Sequence, residues 1–146
     1  MSSLSSRIKV EMEWLGGEDM KIRFKSRSID DLIIARSRIP REESGGEARE
    51  LLAASVIECM GSTLFFLLKW AQIKFKNFRS TVEVISDKDE QGRNCIGSIN
   101  LSLYIDISKD EETLRKFERV ENLFKKGCLI GRSMERGIKV NYSIVT

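Results

Sequence analysis

The sequence predicts an α+β fold in which antiparallel strands are separated by helices, and three observations carry that expectation. Apolar and polar residues alternate with period two on either side of Gly16-Gly17. A proline-free, strongly apolar stretch then runs from Glu47 to about Ala71, too long for a strand. Period two returns after Lys74 and gives way to helical spacing after Ser108, so strands come in consecutive groups and do not alternate singly with helices.

Each element follows in order. From Arg7 to Trp14, Ile8, Val10, Met12 and Trp14 share one side and Lys9, Glu11 and Glu13 the other. Met20, Ile22 and Phe24 resume that pattern beyond the glycine pair, which predicts an N-terminal hairpin, with a third strand over residues 31–36. Residues 37–46, with Pro40 and Gly45-Gly46, break every periodicity and form a connection long enough to serve an interface or a site. The stretch from Glu47 is apolar almost all the way round, which predicts a long central helix enclosed by protein on most sides. Val82 and Val84 then alternate with polar neighbours. A polar turn over residues 87–93 leads to Ile99, Leu101, Leu103, Ile105 and Ile107 on one face, where Cys95 falls by parity as a small buried residue. Ser108 and Glu111 have the spacing of a capping box, and Leu114, Phe117, Val120 and Phe124 then mark an amphipathic helix that ends at Gly127. A short segment from Leu129 to Arg136 precedes a final strand bearing Ile138, Val140, Tyr142 and Ile144. No internal repeat interrupts this order, and 146 residues suit one domain, 1–146.

Composition narrows the chemistry. Twenty-five basic and twenty-two acidic residues are interspersed, so no phosphate-binding footprint stands out and no nucleic-acid partner is expected. Histidine is absent, which removes Ser-His-Asp and Cys-His catalysis and imidazole-ligated metal. Cys59, Cys95 and Cys128 form no Cys-x-x-Cys pair, so neither a zinc ribbon nor a thioredoxin-type dithiol is available, and neither metal nor cofactor is expected. The odd count argues against a secreted disulfide framework, and residues 1–7 lack the apolar core of a leader; a cytoplasmic location is expected. The apolar run from Leu51 to Leu68 contains Glu58 and small polar residues, so it reads as a buried helix and no membrane is expected. A hairpin carrying Trp14, Ile22 and Phe24, beside such a helix, has more apolar surface than one small domain covers, which predicts a homodimer.

Spacing alone leaves Cys59 and Cys128 as candidate thiols or as buried structural ones. Their contexts add more. Glu50-Leu51-Leu52-Ala53-Ala54 followed by helical Cys59, and Cys128 ahead of Gly131-Arg132-Ser133-Met134-Glu135-Arg136-Gly137-Ile138-Lys139-Val140, resemble the OsmC/Ohr family over most of the chain. That resemblance implies an OsmC-like fold, an intertwined homodimer with sites at the subunit interface, and a thiol peroxidase that reduces organic hydroperoxides or hydrogen peroxide. It matches Cys59 to the peroxidatic cysteine, Cys128 to the resolving cysteine and Glu50 to a glutamate of some branches. A dithiol reductant would close the cycle. A non-catalytic OsmC-like dimer that binds a small apolar ligand is the other function this resemblance admits.

The chemistry itself asks for a cation. Only the thiolate attacks a peroxide oxygen, and a thiol of ordinary pKa near 8.5 is about 3% ionised at neutral pH. Glu18 stands after the glycine pair, where the hydroperoxide-resistance branch has an arginine, so Arg23 is the nearest substitute on the hairpin, with Arg49 and Arg132 as others. Cys59 is expected to be unusually acidic despite the adjacent Glu58, which would disfavour the thiolate unless turned away. Glu50 lies nine residues from Cys59, about 13 Å along a straight helix and on its opposite face.

Overall fold

The computed structural model describes residues 7–146, so the reading of residues 1–6 lies outside the described residues. The chain divides into two compact units, one up to Ala48 and the other from Arg49.

The first unit is a three-stranded antiparallel sheet of β1 (Val10–Gly16), β2 (Asp19–Phe24) and β3 (Leu32–Ala35), in the order β1-β2-β3. Glycines make the tight reversal possible, because Gly16 and Gly17 both have positive φ, 107° and 55°. The Trp14 indole donates to the Gly17 carbonyl at 2.9 Å and fastens the turn to its own strand. Residues 37–46 are not featureless. Single 3-10 turns form at Arg36–Arg38 and Arg41–Glu43. The Asp19 carboxylate accepts from the Ser37 amide at 2.9 Å and from its hydroxyl at 2.6 Å, bonds that hold it below the usual carboxylate range.

The second unit holds most of α1 (Glu47–Trp70), the hairpin of β4 (Phe75–Lys88) and β5 (Asn94–Ile107), α2 (Glu111–Phe124) and α3 (Leu129–Arg136). Leu64 and Leu68 from α1 meet Ile73 and Val120, and Phe75, Phe78, Leu103, Ile105, Ile107, Phe117 and Phe124 close round them. Two irregularities in the ladder shape this packing. Between Lys76 and Arg79, β4 carries one residue more than β5, and Asn77 takes φ of 52° there. The extra residue lets Phe75 and Phe78, three apart, join the same core, which strict alternation would forbid.

The second irregularity overturns the expectation for Cys95. Ile85 pairs with Ser98 but Ser86 pairs with Ile96, so Gly97 is a bulge residue with no partner. One extra residue inverts the alternation beyond it, and Cys95 comes opposite Asp87, exposed. It is therefore not a buried residue of the apolar face.

Three further expectations change. The cap of α2 is Asp110, whose carboxylate accepts from Thr113 N at 2.8 Å; Ser108 supports it by donating a short hydroxyl bond to the same carboxylate. The expected final strand does not form: residues 137–146 are irregular, and no strand among the described residues pairs with them. A strand needs a neighbour to satisfy its amides, and here Tyr142 and Ile144 are each 89% exposed. Finally, α1 is not enclosed on most sides within this chain, since only Val56, Gly61, Leu64 and Leu68 are buried while Phe66 and Trp70 remain 67% and 58% exposed. By length and composition alone it could cross a membrane.

The Cys59–Cys128 dithiol as a candidate active site

Cys59 sits midway along α1 and is half-buried; Cys128 follows the helix stop at Gly127, whose φ is 81°, and is buried. Although 69 positions of sequence separate them, the fold brings the two thiols close enough for each to bear on the other's ionisation. Cys128 is also the N-cap of α3. Its Sγ accepts from Gly131 N at 3.3 Å, and the neighbouring Ile130 amide favours the Cys59 thiolate. Both thiols therefore lie at the first turn of one short helix.

The electrostatics depart from expectation. Burial pushes the Cys59 thiol above its ordinary value, the hydrogen bond with Cys128 and the negative potentials of Cys128 and Glu58 add to that, and the Ile130 amide alone opposes them. Cys59 is thus not unusually acidic within a single chain. Glu58 itself is exposed and accepts from Ser62 at 2.8 Å, turned to solvent as a surface glutamate should be.

None of the three candidate arginines contributes to the Cys59 shift. Arg23 donates to Glu13 at 2.7 Å across β1 and β2. Arg49 donates to Ser86 at 3.0 Å, and Arg132 to the carbonyls of Lys126 and Gly127 at 3.3 and 2.7 Å. Glu50 is exposed on an unbroken α1, about 13 Å along the axis from Cys59, so its own helix does not carry it there. The structure thus unites Cys59 with Cys128, while Glu50 is exposed on its own helix and Arg23 is paired with Glu13 within the first unit. Sequence reasoning missed the amides of Ile130 and Gly131. The signal was present in the glycine stop followed by a capping-competent residue and a short helix-compatible run, had residues 129–136 been read as a helix.

What the geometry defines is a helix-borne dithiol on an α+β fold of two antiparallel sheets, without a histidine or a metal cluster among the described residues. The sequence model of the family described as OsmC-like protein matches residues 41–143, and the chain belongs to that family. Solved structures agree on the fold. An OsmC-like protein of unknown function from Vibrio cholerae superposes with a TM-score of 0.66 at 14% identity, covering 88% of this chain and 93% of that one. An OsmC-like protein from Mycoplasma pneumoniae gives 0.65 at 12% identity, covering 90% and 89%. An organic hydroperoxide resistance protein from Elizabethkingia anophelis gives 0.55 at 20% identity, covering 86% and 88%. No curated protein matches the chain.

Proposed function

We propose that the protein is a thiol-dependent peroxidase that reduces organic hydroperoxides, or hydrogen peroxide, with Cys59 as nucleophile and Cys128 as resolving thiol. The observation that carries this reading is the proximity of two thiols 69 positions apart, close enough for each to bear on the other's ionisation. The Cys59 thiolate attacks the distal peroxide oxygen, the O–O bond breaks, the alcohol leaves, and a sulfenic acid remains. The Cys128 thiol then attacks that sulfur, water leaves, and a disulfide joins the two residues. An external dithiol supplies two electrons and two protons to restore the pair. Membership of the OsmC-like family and the fold shared with a hydroperoxide resistance protein support this direction.

The working form we propose is a cytoplasmic homodimer. It covers α1, and it accounts for Arg23 and Glu50 as residues that act on Cys59 only across the assembled interface, Arg23 exchanging Glu13 for the thiolate. The raised Cys59 thiol favours a second reading, a non-catalytic dimer that holds a small apolar ligand.

Stoichiometric tert-butyl hydroperoxide decides between them. The peroxidase yields one disulfide between the peptides containing Cys59 and Cys128 and leaves Cys95 reduced. Cys128→Ser stops at the sulfenic acid and over-oxidises with excess peroxide, and Cys59→Ser consumes none. A disulfide to Cys95, or unchanged consumption by Cys59→Ser, overturns the assignment.

A further inference from the structure

The first turn of α3 bears on both thiols, and no side-chain cation is among the groups that shift Cys59. A helix leaves its leading amides without acceptors inside the helix. In α3 the first internal bond runs from Arg132 N to the Cys128 carbonyl at 2.9 Å, so the amides of Ile130 and Gly131 have none to make. The Gly131 amide goes to sulfur instead, to Cys128 Sγ at 3.3 Å, and the Ile130 amide faces Cys59 closely enough to favour its thiolate. Two donors from adjacent peptide units thus serve two neighbouring thiols.

Such donors favour the anionic form of sulfur, and the positive end of the helix dipole, equivalent to about half an elementary charge, acts in the same sense. The surrounding charges do not duplicate this effect. From α1, Glu58 opposes the thiolate; from α3, Arg132 directs its guanidinium to the carbonyls of Lys126 and Gly127. Gly131 has room for its role, since a Cβ there would stand 3.4 Å from Cys128 Sγ, an ordinary contact.

We propose that the main-chain amides of Ile130 and Gly131 are the groups that stabilise and position the thiolates of this dithiol, so that the first turn of α3 stands where a side-chain cation would otherwise be required. This rests on reading Cys59 and Cys128 as the reacting pair. It also makes these two positions sensitive to loss of an N–H and indifferent to most changes of side chain.

Proline tests that distinction, because in the first helical turn it deletes an N–H that has no internal partner while its fixed φ suits the helix. In a Cys95→Ser background, the pH dependence of iodoacetamide alkylation at Cys59 is measured by peptide mass for Ile130→Pro and for Ile130→Ala. The proline variant is expected to titrate about one pH unit higher than the alanine variant, an alkylation rate about tenfold lower at any pH below both midpoints. Gly131→Pro against Gly131→Ala is expected to do the same at Cys128. A readout independent of either variant's folding is the pH titration of the Ile130 and Gly131 amide resonances in the unsubstituted protein, expected to follow the thiol midpoints. Equal midpoints in the folded proline and alanine pairs, or amide resonances that stay still while the thiols ionise, would overturn the proposal. Peroxide consumption is not part of the readout, so a dithiol that titrates as expected yet reduces no hydroperoxide overturns only the peroxidase reading.

Discussion

Single residues in this chain do their work through one or two contacts, and Asp110 is the clearest case. Its carboxylate collects Thr113 N, the Thr113 hydroxyl and the Ser108 hydroxyl, which together bring its pKa from 3.8 down to about 2. A pKa lowered on folding contributes stability above the unfolded value, and that contribution is lost as pH falls through the folded one. The stability gap between the protein and Asp110→Ala, measured by urea midpoints, should therefore narrow from about pH 4 to pH 2 and stay constant above. Leu68 acts through packing alone. It is fully buried in the cluster with Val120, and Leu68→Ala should cost about 2–5 kcal/mol in denaturant unfolding. Residue type made both cysteines legible in the sequence, but the cap was misassigned. Ser108 and Asp110 both suit the position, and the choice depended on where the backbone leaves the strand.

At the scale of elements, two glycines that look alike in the sequence should respond in opposite ways. Gly61 is buried in the interior of α1, where a Cβ would rest 3.9 Å from the Phe78 ring, in ordinary contact. Gly61→Ala should gain about 0.5–1 kcal/mol by removing glycine's excess freedom in the unfolded chain. Gly97 leaves no such room, because a Cβ would lie 2.8 Å from the Asp87 Cβ across the bulge. Gly97→Ala should lower the melting temperature, as heat denaturation of the pair would show. Alternation and helical spacing revealed every other strand and both long helices, since those signals are local. The bulges at Asn77 and Gly97 were not legible, because each depends on which residue of the opposite strand is its partner.

The whole molecule presents apolar surface that its own chain does not cover. Phe66 and Trp70 on α1, Trp14 on β1, and the alternating tail with Tyr142 and Ile144 are all exposed. Such surface is ordinarily closed by association, so sedimentation at micromolar concentration is expected to show twice the chain mass, with amides of residues 138–144 protected from exchange. A monomer with those amides unprotected would remove the interface from the proposed site. This was the level at which the sequence was least explicit. An alternating segment and an all-round apolar helix declare that they need neighbours, and neither says whether the neighbour is in the same chain. The bulge at Gly97 has a genetic consequence as well. Since Gly97 is the surplus residue, loss of its codon alone would straighten the ladder without exchanging inside for outside, leaving Ile96 opposite Ser86 and Cys95 opposite Asp87 as they are now.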